Sequence, residues 1–213
     1  MIRSGTVTRA LLSAAMLLPG LSIADEAPRG VELTPFAGYS FGGSFDVTDS
    51  NQSVELDDAQ RFGLILDIRK DDNTQWEVVY DRQDTDASAV SVGFPTSSFD
   101  LSIQALQIGG TYQWEGDALR PYMAATIGGT KMDATDSGYG SDTFFSFSLG
   151  LGLQYRPLDS FGLRLEWRTF GTVMNSKTDL FCSTGGATNS CLIQVQGHVL
   201  WQTGAFAGLV FRF

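Results

Sequence analysis

The sequence is short of the residues that most chemistry needs. Its 213 residues include one histidine and two cysteines, too few for a His/Cys metal centre, so no metal and no cofactor are expected. Charged residues make up 18% of the chain, below the quarter usual in soluble domains. No apolar run of 18 or more residues occurs in the body of the chain, which leaves no helical membrane span. Acidic residues number 24 against 14 basic ones, the wrong sign for a nucleic-acid surface.

What the chain has instead is glycine, 24 residues, and aromatic rings, 12% of the total. These fall in an alternating pattern. In "FFSFSLGLGLQYRP" every second residue from Phe145 is large and apolar: Phe145, Phe147, Leu149, Leu151, Leu153 and Tyr155. Between them stand Ser146, Ser148, Gly150, Gly152 and Gln154. Strict alternation predicts a strand whose side chains point to opposite faces. Here the second face is small, as though it fitted a narrow space, and the large face is expected to meet lipid.

The first residues read as a secretory signal. Arg3 and Arg9 precede the apolar "ALLSAAMLL", Pro19-Gly20 breaks it, and "SIA" ends at Ala24. Residues 1–24 are expected to be cleaved. Cleavage takes two of the 14 basic residues and no acidic one, leaving 12 against 24, a net of −12. In an exported chain Cys182 and Cys191, at the ends of "CSTGGATNSC", are expected to form a disulfide.

After a short leader at 25–30, a barrel domain is predicted over 31–213. Eight alternating segments lie near 31–44, 57–69, 75–84, 99–114, 119–132, 143–156, 160–173 and 194–213. The seventh sets Leu163, Leu165 and Trp167 against Arg164, Glu166 and Arg168. In the fourth, Leu101 and Ile103 share one parity while Leu106 and Ile108 take the other, which predicts a bulge or an early loop. The fifth fits either parity. Connections at 70–74, 115–118 and 158–160 are tight, whereas those at 45–56, 85–98, 133–142 and 174–193 are long. Tight and long connections alternate, the mark of an all-β, antiparallel up-and-down barrel whose even strand number puts both termini at the short-turn, periplasmic end. Aromatics gather near both ends of the segments, as rings do at membrane boundaries.

The last residues, "GAFAGLVFRF", alternate Ala205, Ala207, Leu209, Phe211 and Phe213. At this point the chain resembles bacterial outer-membrane β-barrel proteins, and "VELTPFAGYSFGG" resembles the first strand of their small eight-stranded OmpA/OmpX-like group. The resemblance implies an outer-membrane location and a terminal aromatic, Phe213, read by the barrel-assembly machinery. The larger OmpA-type proteins carry a peptidoglycan-binding domain after the barrel, which is not expected here. Lipid-facing residues are then the six of the sixth segment with Leu163, Leu165, Trp167, Leu209 and Phe211. Inward go Arg61, Asp67, Glu77, Asp81, Arg164, Glu166, Arg168 and Arg212, and also Arg69. Their charges nearly balance, and buried ions need partners, so a salt-bridge network that fills the lumen is predicted.

No enzyme is expected. Some barrels of this kind are lipid A deacylases with a His–Ser pair, but Leu200 stands two residues after His198, the single histidine. His198 is read as a polar residue at the outer mouth. The acids Asp46, Asp49, Glu55, Asp57 and Asp58 read as a solvated loop able to share divalent cations with lipopolysaccharide phosphates. The expected role is structural or surface-interacting, in a monomer surrounded by outer-membrane lipids and lipopolysaccharide. The alternatives are a narrow channel for small or hydrophobic solutes, and a soluble lipocalin-like barrel with its faces inverted.

Overall fold

The computed structural model describes residues 30–47, 52–91, 97–134, 141–174, 182–183, 190–191 and 199–213. The calls for residues 1–29, Asp49 and His198 lie outside the described residues. Twelve strands follow in order: β1 (Val31–Phe41), β2 (Ser44–Val47), β3 (Gln52–Leu56), β4 (Ala59–Arg69), β5 (Thr74–Ser91), β6 (Ser97–Gln113), β7 (Leu119–Ala134), β8 (Ser141–Tyr155), β9 (Phe161–Val173), β10 (Cys182–Ser183), β11 (Ser190–Cys191) and β12 (Val199–Arg212). Eight of them, β1, β4 to β9 and β12, pair antiparallel with their chain neighbours, and β12 returns to β1. The barrel is closed, with neither edge left open. Its closing seam runs from Glu32 opposite Arg212 to Phe41 opposite Thr203, with no pair at Thr34 or Pro35, where proline has no N–H to give.

The tight turns are built locally. In the β4–β5 turn, Asp71 accepts from the Thr74 hydroxyl and from the backbone N–H groups of Asn73 and Thr74, a side-chain turn of the kind aspartate favours. Those bonds, the Thr74 hydroxyl first, hold its carboxyl below the usual carboxylate range.

At the opposite end two expectations change. β5 and β6 stay paired as far as Ala89 and Ser97, and β7 and β8 as far as Asp133 and Ser141. The long connections expected at 85–98 and 133–142 are therefore mostly strand, leaving 92–96 and 135–140 between them. The first long connection carries the β2–β3 hairpin, and β3 adds to the extension of β5. The last carries β10 and β11, in which Cys182 stands directly opposite Cys191.

The fourth segment has no bulge. β6 keeps one unbroken register with β5 and another with β7. Leu101 and Ile103 are buried inside while Leu106 and Ile108 stand on the outer wall. The change of apolar parity has a simple cause: near the long-loop end the barrel interior is itself apolar, lined by Ala87, Leu101, Ile103, Met132, Phe144, Met174 and Leu200, all buried. The fifth segment resolves with Tyr122, Ala124, Thr126, Thr130 and Met132 inward and Met123 and Ile127 outward.

Candidate functional site

Large apolar side chains cover the outer wall. Phe145, Leu149, Leu153, Tyr155, Leu163, Leu165, Trp167, Leu209, Phe211 and Phe213 are exposed, Leu151 to 64%, and Phe147 is half-buried beneath its ring contact with Trp201. The buried ion pairs lie inside, the reverse of a lipocalin-like arrangement, and the outer-wall charges such as Arg82, Asp84 and Lys131 stand toward the long-loop end. The candidate site is this charged interior, and it has three tiers.

The middle tier centres on Glu77, which is fully buried. It accepts from Arg164 at 2.6 Å, from Arg168 at 2.7 Å and from the Thr111 hydroxyl at 2.9 Å. Arg164 also donates to Asp67 at 2.8 Å and Glu166 at 3.0 Å. Its guanidinium lies 4.5 Å from the centre of the Tyr122 ring, and the Tyr122 hydroxyl donates to Glu166 at 2.6 Å. Arg168 bonds Glu166 and the Ser148 hydroxyl. Glycine makes room for this: a Cβ on Gly150 would stand 2.6 Å from Glu166 Oε1, and one on Gly152 would strike the Tyr122 ring. Here three carboxylates face two guanidiniums.

The tier at the short-turn end restores the balance. Glu32 accepts from Arg212 at 2.7 Å, Arg156 at 3.1 Å and Gln154 at 2.9 Å. Gln113 donates to Gln75 and Gln154. The tier toward the long loops is looser. Arg61 Nε stands 3.5 Å from Asp81. The Arg61 side chain donates to Gln83 at 2.6 Å and Gln202 at 3.1 Å and lies 4.1 Å from the Phe170 ring centre. Both Asp81 carboxylate oxygens and the Arg61 Nε lack a hydrogen-bond partner within the protein.

The fold therefore brings Asp67, Glu77, Arg164, Glu166 and Arg168 into one cluster, sets Arg61 with Asp81 above it and Arg212 with Glu32 below it. Arg69 is exposed at the rim, not inward, because it ends β4 beyond the last inward tier. Glu32 and Arg156 were not anticipated. Glu32 sits between Val31 and Leu33, an alternation visible in the sequence, whereas Arg156 follows β8 and only the closed barrel turns it onto Glu32. A cavity of about 10 Å³, bounded by Phe36, Ile65, Arg164, Glu166, Phe170 and Phe206 among others, is about the volume of one water probe. Of the acidic loop, Asp58 accepts from the Gly42 N–H at 2.5 Å. Among the described residues no three His, Cys, Asp or Glu side chains converge on a point fit for a metal. The side chains of Cys182 and Cys191 lie outside the description.

A closed eight-stranded barrel with its charges inside and its apolar face outside is matched by a family model, the outer membrane protein beta-barrel domain, over residues 10–213. The chain belongs to that family. Its place is accordingly the outer membrane. Among solved structures it is similar to neisserial surface protein A, at 12% identity and a TM-score of 0.59, with 86% of this chain and 97% of that one covered. It is also similar to the outer membrane protein OprG of Pseudomonas aeruginosa, at 13% identity and a TM-score of 0.53, covering 87% and 97%. No curated protein matches the sequence.

Proposed function

We propose that this chain is a monomeric, non-catalytic outer-membrane barrel whose lumen is closed by its own side chains, and that it acts structurally and through what it displays at the long-loop end. The observation that carries this reading is the Arg164–Glu77–Arg168–Glu166 cluster. It ties β5 to β9 across the lumen and spends the donors and acceptors that a hydrated passage would leave to water. The orientation goes with it: the short turns and both termini are periplasmic, as the even strand number and the positions of the long connections favour. Residues 1–24 serve export, the Cys182–Cys191 disulfide closes the last outer loop, and the ring-bearing outer wall meets outer-membrane lipid and lipopolysaccharide. Phe213 is the terminal aromatic offered to the assembly machinery.

Conductance of the purified barrel in planar bilayers tests the closed lumen. The expected trace is flat at ordinary holding potentials. Sustained unitary steps would favour the second reading, a narrow channel, for which the loose Arg61–Asp81 ion pair, 3.5 Å apart and without a hydrogen bond at Arg61 Nε or either Asp81 oxygen, is the supporting observation.

A further inference from the structure

At the short-turn mouth of the lumen the charges do not cancel. Arg156 follows β8, Arg212 ends β12 opposite Glu32, Arg120 lies on β7 opposite Gln154, and Arg69 ends β4 at the rim. One carboxylate, Glu32, stands among them, and both of its oxygens are occupied. Its Oε1 accepts from Arg212 at 2.7 Å and from Arg156 at 3.1 Å, and its Oε2 accepts from Gln154 at 2.9 Å. Two guanidiniums bonded to one oxygen stand side by side. Gly162 of β9 faces inward beside them and adds no side chain; a Cβ there would stand 3.6 Å from Arg156 Cγ.

Donors are left over. Arg156 gives only Nη2 to Glu32, Gln113 and Gln154, and its Nε is buried without a hydrogen-bond partner. Arg212 gives Nε and Nη2 to Glu32. Arg120 gives Nε to Gly116 O at 3.0 Å, and among the described residues neither Arg120 nor Arg69 is ion-paired, unlike Arg156 and Arg212. With one positive charge set against Glu32 and one against the extra carboxylate of the middle tier, two remain. The turn carboxylates lie outside this group: Asp71 is bonded within its own turn, and Asp72, Glu115, Asp117 and Asp159 are exposed. Burial pushes the Arg156 guanidinium down to about 10, Glu32 pulls against that fall, and Arg212, Arg120 and Arg69 add to it in that order. No turn carboxylate acts on Arg156 as strongly as these four neighbours.

We infer that this mouth binds one soluble oxyanion of the phosphate type, held by the free guanidinium N–H groups of Arg120, Arg156 and Arg212 with Arg69 at the rim. Guanidinium forks match the oxygens of such an ion, and a phosphate monoester, which carries about −1.5 to −2 near pH 7, matches two uncompensated positive charges better than a lone carboxylate does. The site lies within the ring of strands and away from the lipid-facing wall, which favours a soluble ion over a lipid headgroup. It needs neither a closed lumen nor a particular orientation of the barrel.

The test is titration calorimetry of the refolded barrel in non-ionic micelles at low salt, with inorganic phosphate as the probe. Saturable binding of one phosphate per barrel is expected. Arg120→Gln, which touches no carboxylate and leaves the buried ion pairs intact, is expected to weaken it by about tenfold or more, given the usual strength of hydrogen bonds to charged groups. Lys70→Gln removes the same charge at the same end, but from a side chain lying 5.7 Å from the Trp76 ring on the outer wall, and is expected to leave binding unchanged. Heat-modifiable gel mobility confirms that both variants are folded. A wild-type barrel that shows no saturable heat overturns the site. So does an equal loss in the two variants, since the ion would then be responding to net charge alone. Repeating the titration in micelles doped with phosphatidylglycerol separates the two sources of phosphate: loss of the phosphate signal there, restored to the undoped value by no other lipid change than leaving phosphatidylglycerol out, overturns the soluble ion in favour of a headgroup, whereas an unchanged signal supports it.

Discussion

Arg164→Ala is the sharpest probe of the interior. It removes the donor that meets Asp67, Glu77 and Glu166 at once. What remains in the middle tier is three carboxylates facing Arg168 alone. Breaking a buried pair by removing one partner costs about 3–5 kcal/mol, because the other charges stay buried. With a urea slope of about 2 kcal/mol per molar, the unfolding midpoint falls by roughly 1.5–2.5 M. The assay is urea unfolding of the refolded barrel in micelles, followed by heat-modifiable gel mobility. Arg82→Ala is the control. It also removes an arginine from a carboxylate, but that pair is exposed, and such pairs are worth about 0–1 kcal/mol. Glu77→Gln in the Arg164→Ala background supplies a double-mutant cycle: removing one of the three carboxylates recovers part of the loss, with a coupling of about 0.5–3 kcal/mol. Equal losses for Arg164→Ala and Arg82→Ala would refute the reasoning, since the middle tier would then contribute no more than a surface pair.

Three further outcomes are expected. Leu151→Arg puts a charge on the most exposed of the large outer-wall side chains and costs about 2–4 kcal/mol at mid-bilayer depth, whereas Ser148→Thr keeps the hydroxyl bonded to Thr126 and Arg168 and loses less; urea midpoints in the same micelles rank the two, and a reversed order would mean that the faces are wrongly assigned. Thiol titration of the non-reduced, denatured protein should find no free thiol, and reduction should expose both cysteines at a cost of roughly 2–3 kcal/mol on the chain-entropy account of short loops; two free thiols before reduction would remove the disulfide. Deleting Phe213 removes an exposed ring and the N–H bonded to Val31 O at 3.0 Å, a bond worth about 0.5–1.5 kcal/mol, so refolding yield in micelles should hold while outer-membrane accumulation in cells falls; equal defects in both would mean that Phe213 acts through stability alone.

The alternation of side chains is a local property with a period of two, so the sequence by itself determined the eight barrel strands, though not the added β2–β3 and β10–β11 pairs, and the side of the wall on which Leu163, Arg164, Leu165 and Glu166 stand. It determined that charges and small residues share one face, as Gly150, Gly152, Arg164 and Arg168 do. Height within the barrel and choice of partner are different in kind. Arg164 meets Asp67 from 97 positions away, and that meeting depends on how eight registers add up around a closed sheet. Nothing near either residue distinguishes Asp67 from Asp81, yet one accepts a hydrogen bond from Arg164 in the middle tier and the other only faces Arg61 at 3.5 Å, with neither oxygen hydrogen-bonded. Leu101 and Ile103 point inward for a similar reason. Their own neighbours in the chain suggested a bulge; only the closed barrel, whose interior turns apolar toward the long loops, put them opposite Met132 and Ala134 in a continuous strand.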